Sequence, residues 1–277
     1  MGAAMAIVTI SSELGAGGAE IGAALAKRLG YRYLDREVLA EAANRYGLAE
    51  AKLVRGDETK PSLFERVDAE GRLYVVGITA VLLEFAQSDD VVLMGRGGQC
   101  LLRDIPHALH VRVTAPFDVR VTRLAQHAGG ETGRTLPSRA WLHVVRRDDA
   151  GRIGRLRYLY RVDIRDPALY DLVINTTQVA SVAAVEALAT MARRPEFAPT
   201  EAGRNIVRDR RLSSLVEVAL AQDPETRRRR ISVDTTGGVV TLRGTGDLAP
   251  AAKTVRDVPG VSEVKIVEVE PLPPGFM

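Results

Sequence analysis

The 277-residue chain has a single cysteine, Cys100. That excludes an intrachain disulfide and a cysteine-rich zinc site. Four histidines (His107, His110, His127 and His143) show no H-E-x-x-H spacing. His107 and His110 flank an expected strand start and read as surface or packing residues, so no metal ligand set is expected. Charge of one sign is scarce too: 38 Lys and Arg against 35 Asp and Glu leave a net charge of +3. So mild an excess does not by itself call for nucleic acid. No long apolar run is present. The longest, Leu73 to Leu83, is interrupted by Gly77, and a helix needs about 20 apolar residues to span a bilayer. The opening residues, MGAAMAIVTI, lack the basic stretch of a secretory signal. Met1-Gly2 is followed by Ala6 where a myristoylation start needs Ser or Thr. A cytoplasmic protein is the expectation.

What is there is an ordinary globular composition, 46% apolar and 26% charged, long enough for one large or two modest domains. The most informative stretch is Ile7 to Gly30, IVTISSELGAGGAEIGAALAKRLG. Ala6 to Ile10 reads as a buried parallel strand. Gly15, Gly17 and Gly18 follow, and glycine allows positive φ and close approach of backbone to a ligand. Ile21, Leu25 and Leu29 then recur on one helix face, with Gly30 as a helix stop. A strand that turns through glycines into a helix N-terminus aims backbone N–H groups at one spot, which suits a phosphate. The bland alternative is a tight turn without a ligand. The loop also lacks two side chains of the usual G-x-x-x-x-G-K-[ST] pattern. Gly18 stands at the lysine position, Ala19 at the hydroxyl position, and Glu20 just after.

Further along, Tyr31–Leu34, Val91–Met94, Ala108–Thr114 and Asp171–Ile174 read as strands. Arg36–Tyr46, Leu73–Phe85, Pro116–Gln126, Arg134–Arg161 and Val182–Met191 read as helices, and residues 50–70 as a polar insertion. Five apolar strands alternating with helices predict an α/β fold, a parallel sheet covered on both faces. Ligands on such sheets bind beyond the carboxyl ends of the strands. Gly15–Gly18, Asp35, Gly95-Arg96 and Asn175 all fall at that edge. Residues 195–208, beginning PEFAPT, read as a linker. The unit after it, 209–277, has the order α-β-β-α-β, with a Gly237-Gly238 hairpin, Asp247 as a helix cap and a loose tail.

The segments ISSELGAGGAEIG, YRYLDREVL, VVLMGRGGQCLLRD, TAPFDVRVTRL and YDLVINT together resemble the cytidylate-kinase-like family of P-loop nucleoside monophosphate kinases, over roughly residues 5–192 of an expected domain 1–194. The resemblance implies a three-layer P-loop fold, with ATP and magnesium as cofactors and a nucleoside monophosphate such as CMP or dCMP as acceptor. It implies that Gly15, Ala16, Gly17, Gly18, Ala19 and Glu20 hold the ATP phosphates. Asp35 would lie beside the acceptor. Gly95 and Arg96 would match the Gly-Arg of a GRD segment whose aspartate is Gly97 here. Asp149 and Arg152 would match the D-x-x-R of a mobile lid. The family's loop tends to carry an arginine where this chain has Ala19. The second unit resembles a BON domain, through RISVDTTGGVVTLRGT and VRDVPGVSEVKIV, which implies a protein or phospholipid partner.

Arginine can replace the missing lysine in part, because guanidinium grips phosphate bidentately. Arg96, Arg147 and Arg152 are the candidates. The arginines between Arg134 and Arg161 fit a lid, a solvated basic face or, less well, a nucleic-acid surface. Asp35 fits a helix cap as well as a substrate contact, and Glu20 fits a magnesium ligand as well as a helix-dipole acid. Three functions are consistent with this pattern: a nucleoside monophosphate kinase, a nucleotide-binding regulator acting through the BON-like unit, and a basic scaffold.

Overall fold

A computed structural model describes residues 6–35, 69–95, 97–132 and 138–269. The expected helix at 36–46 and residues 50–68 of the expected insertion lie outside them, and the last two residues of that insertion, 69–70, are helical. Strand β1 (Ile7–Ser12) is buried at every position. It leads into helix α1 (Gly18–Leu29), which Gly30 ends in the left-handed conformation expected of a glycine stop. Strand β2 (Arg32–Leu34), helix α2 (Ala69–Ala86), β3 (Val91–Met94), the short α3 (Gly98–Leu101) and β4 (Ala108–Thr114) follow. Then come α4 (Phe117–Thr132), α5 (Ser138–Tyr160), β5 (Leu172–Asn175) and α6 (Ser181–Ala192).

The five strands form one sheet in the order β2-β3-β1-β4-β5. Every pairing is parallel, with Ile7 beside both Val91 and Ala108. Alternation along β1 divides the core. Ala6, Val8 and Ile10 face α1 and α6, against Ile21, Leu25 and Leu188. Ile7 faces the other side, against Val81, Leu82 and Leu102. Placing β1 centrally brings its glycine loop to the middle of the ligand edge. Strand β5 is one of the two sheet edges, and its Val173 is exposed.

The segment read as a linker, 195–208, is largely helical. After a 3-10 turn at Pro195–Phe197, helix α7 runs without a break from Glu201 to Gln222. Thr200 caps it, accepting from Gly203 N–H at 3.0 Å. The first turns of α7 put Ile206 and Val207 against the α2 face of the first core. Its later turns give Val216 and Leu220 to a second core with Ile231, Val240, Leu242 and Val255. Arg204 reaches Asp89 at 2.9 Å, and His107 Nε2 lies 3.1 Å from the same buried carboxylate. Burial pushes the Asp89 carboxyl upward, but His107 and Arg204 hold it net below its ordinary value.

Strands β6 (Ile231–Thr236), β7 (Val239–Gly244) and β8 (Glu263–Glu268), with α8 (Ala249–Arg256) between β7 and β8, build the second sheet. The expected hairpin is present, with positive φ at Gly237 and Gly238. Asp247 accepts from Ala249 N–H at 2.9 Å at the start of α8. No described helix is long and apolar enough to cross a membrane.

Candidate active site

The loop after β1 is held from below by Glu13. Its carboxylate accepts from Arg112 Nη2 at 2.8 Å, Thr114 Oγ1 at 2.5 Å and Ala115 N–H at 3.3 Å, all at the end of β4. Gly15 and Gly17 take φ of +82° and +83°. A Cβ on Gly15 would stand 2.8 Å from the Arg120 carbonyl oxygen, so that glycine answers to both conformation and space. Gly17 is the N-cap of α1 and offers no side-chain cap. The first N–H groups of α1 therefore have no partner within the helix and carry the positive end of its dipole.

Two clefts meet over this loop. A donor-side cleft of about 740 Å³ is lined by Gly15 to Glu20, Arg123, His127 and the turn Thr176 to Ser181. An acceptor-side cleft of about 500 Å³ is lined by Tyr33, Asp35, Gly95, Gly97, Gln99 and α5 residues from Asp148 to Tyr160. Leu14, Ala19, Met94 and Arg152 line both. Both volumes are in the range that holds a nucleotide-sized ligand. Burial, with the Asp35 charge adding to it, pushes the Tyr33 phenol above its ordinary value.

Helix α5 meets the loop through two arginines, each held in an ion pair with an α5 aspartate and each donating to a loop carbonyl. Arg152 Nε and Nη2 donate to Asp148 at 2.7 and 3.3 Å, and Nη1 donates to the Ser12 carbonyl at 3.1 Å. Arg120, nearly buried, grips Asp149 bidentately at 3.0 and 2.8 Å. It also donates to the carbonyls of Leu14 and Ala115. The D-x-x-R expectation therefore divides. Arg152 is at the junction of the clefts with Asp148, four residues back, as its partner. Asp149 lines neither cleft and its carboxylate is taken up by Arg120. Arg147 is exposed and lines neither cleft. Gly95 and Asp35 line the 500 Å³ cleft, whereas Arg96 lies outside the described residues. Asn175 is turned into its own loop, accepting from Thr177 N–H and Oγ1 at 3.0 and 2.6 Å. Thr176 and Thr177 take the place at the donor cleft that a strand-end Asn175 suggested.

Several functional side chains were missed in sequence. Glu13 and Arg120 brace the loop, and Arg123 donates to Thr176 Oγ1 and O at 2.8 and 2.7 Å on the donor side. The available signal was that Arg120 and Arg123 stand in the first turns of a helix directly after a strand, at the ligand edge. Gly18 also has a structural reason. A Cβ there would lie 2.3 Å from Ser12 Cβ and 2.2 Å from its Oγ. No group of three His, Cys, Asp or Glu suited to holding a metal occurs among the described residues. Burial pushes the Cys100 thiol up to about 11, which disfavours the thiolate form.

A family model described as the cytidylate kinase-like family matches residues 7–178. A cytidylate kinase of Ignicoccus hospitalis is 27% identical over 189 residues, 68% of this chain and 99% of that protein. One of Pyrobaculum aerophilum is 28% identical over 180 residues, 64% of this chain and 86% of that protein. Among solved structures, an uncharacterized protein from Eubacterium ventriosum superposes with a TM-score of 0.54 at 18% identity. That likeness covers 68% of this chain and 98% of that one, and is a likeness of fold.

Proposed function

The chain belongs to the cytidylate kinase-like family, and on that premise we propose that it transfers a phosphoryl group from ATP to a nucleoside monophosphate of the CMP or dCMP kind. The observation that carries this reading is Arg152, whose guanidinium is shared by two adjoining clefts and bonded to the carbonyl of Ser12 at the start of the glycine loop. Such transfer asks the protein for positioning, charge neutralisation and exclusion of water. The backbone N–H groups of Gly15 to Glu20 hold the ATP phosphates, and Arg123 supports the donor side. Asp35, Gly95 and Arg96 bind the acceptor. Arg152 exchanges its bond to Ser12 for one to the phosphoryl oxygens, and Asp148 keeps the guanidinium aimed.

With Gly18 at the lysine position, the loop is a degenerate Walker motif, and Arg152 takes over the lysine's charge. Asp149 acts at one remove, keeping α5 on the loop through Arg120. Arg147 has no part in this reading. Magnesium in such sites needs only one or two carboxylates, with phosphates and water completing the shell. Glu20, exposed on the wall of the donor cleft, suits that requirement and would hold the ion. When bound, magnesium neutralises charge on the phosphate oxygens.

Residues 1–194 are proposed as the kinase-like domain and 209–277 as a BON-like unit with a protein or phospholipid partner. The α-β-β-α-β order of the second unit supports that assignment. The test of the activity is a coupled ADP-release assay with magnesium and a panel of monophosphates. CMP or dCMP should release ADP above the ATPase background. Background release with every acceptor refutes the kinase reading.

A further inference from the structure

A third cavity, of about 690 Å³, lies outside both clefts, between the middle of α7 and the turn of the β6–β7 hairpin. That is room for a small ligand. Arg208 and Arg211 both line it, and residues so spaced are neighbours on a helix surface. Elsewhere on α7 the arginines are matched to carboxylates, Arg204 to Asp89 and Arg210 to Asp104. The two at the cavity are not. Arg208 donates only to the neutral Asn205 side chain, and Arg211 has no side-chain hydrogen bond or ion pair among the described residues. Arg211 Nε is moreover closed off from solvent without a partner. A guanidinium taken partly out of water with no opposite charge beside it is costly, so the cavity is short of an anion. The carboxylate on its wall, Asp209, makes no ion pair with either arginine. It is turned to the hairpin, where its Oδ1 accepts from Gly237 N–H at 2.9 Å.

The lining narrows the kind of anion. A carboxylate is filled by one guanidinium fork and would leave the second arginine as it is. A phosphate monoester has three terminal oxygens and can engage both. The rest of the wall includes Leu212, Leu215 and Pro259, which suits an organic body more than a bare ion. A bilayer fits less well. A membrane-seated site puts large apolar side chains forward into the headgroup layer, and among the described residues no exposed large apolar side chain lines this cavity.

We propose that this cavity is a ligand site of the second unit, separate from the two clefts over the glycine loop, for a small soluble phosphate monoester. Arg208 and Arg211 hold the phosphate, and Leu212, Leu215 and Pro259 carry the organic body. The site stands whether or not the parallel-sheet domain transfers phosphoryl groups.

The experiment follows backbone amide signals of the full chain by NMR, where Gly237 and Gly238 report on the cavity and Gly15 and Gly17 on the phosphate loop. Phenyl phosphate should shift the hairpin glycines saturably. It should bind there about tenfold or more tighter than benzoate, which puts a carboxylate on the same ring. Arg208→Gln and Arg211→Gln should each weaken it by about tenfold or more, since each removes charge-assisted bonds, and should leave the response of Gly15 and Gly17 unchanged. No saturable shift at the hairpin overturns the proposal, as does an equal shift with sodium chloride at matched ionic strength. Benzoate binding as tightly as phenyl phosphate overturns it too. Arg208 is exposed, so Arg208→Gln should fold even where Arg211→Gln does not, and an unchanged affinity in that variant overturns the proposal. Pelleting of the chain with vesicles of phosphatidic acid in phosphatidylcholine, with no response of the hairpin to phenyl phosphate, overturns it in favour of a lipid surface.

Discussion

Putting the lysine back into the glycine loop should harm the protein. In the pattern G-x-x-x-x-G-K, the first glycine falls on Ser12 and the lysine on Gly18. The structure couples these two departures. A Cβ on residue 18 would stand 2.3 Å from Ser12 Cβ, while unstrained carbons stay near 3.5 Å apart. Gly18→Lys therefore demands a shift of about 1 Å at the end of β1 or the start of α1. Ser12 is no free surface residue. It pairs with Val113 in the sheet, and its carbonyl holds Arg152. Overpacking of this kind costs about 1–3 kcal/mol, and for a chain of this size each kcal/mol lowers Tm by about 2–4 °C. The displaced carbonyl would also misplace Arg152, so kcat should fall although a cation has been added. Ser12→Gly removes the obstructing side chain. The double variant should recover most of the lost stability, with a coupling of about 1–3 kcal/mol in a double-mutant cycle. Calorimetric Tm and the ADP-release rate, measured on the four proteins of the cycle, test this. A Gly18→Lys protein as stable as the parent and at least as fast would refute the packing argument.

Arg152→Ala should lower kcat by about 10³-fold or more with a much smaller change in KM for ATP, because its charge is needed where the transferring group passes. A loss confined to KM would show a ground-state binding role instead. Cys100 should react with a thiol reagent at pH 8 about 100-fold more slowly in the folded protein than in urea, since a thiol raised from 9.0 to about 11 holds that much less thiolate. Rates within tenfold of each other would contradict it. Burial lowers the His110 imidazole below its ordinary 6.5. The unfolded chain then binds a proton that the folded one refuses, and stability falls as pH drops through about 6.5 toward the lower folded value. Urea unfolding at pH 7.5 and 5.5 should show a smaller loss for His110→Asn than for the parent; an equal loss would exclude His110 as the cause.

Much of the sheet is readable from local pattern, for a physical reason. Val91–Met94 and Ala108–Thr114 are buried in a parallel sheet, and burial on both faces leaves nearly continuous apolar runs. The glycines of the phosphate loop are readable because their backbone conformation requires glycine. The start of α7 is not. EAGRNIVRDRR offers only Ile206 and Val207 as large apolar residues, and Gly203 reads as a breaker. In the structure Gly203 is needed instead for close packing, since a Cβ there would stand 2.7 Å from His107 Nδ1. Choosing among the arginines of α5 also needed three dimensions. Arg147 and Arg152 share one helix, but only the second is turned toward the loop. Gly97 and Tyr160 lie far apart in sequence, and no local pattern links a missing side chain to the ring that fills its space.

Helix α7 has a consequence for the behaviour of the whole chain. Its 22 residues make a rod of about 33 Å, with one end sunk in the hydrophobic interior under the parallel sheet and the other in that of the small sheet. Neither interior can melt without baring part of the rod that the other uses. Heating should therefore give one calorimetric transition where two tethered units would give two. A protease or a cloning primer that cuts at residue 208 would leave two fragments, each with a sticky stump.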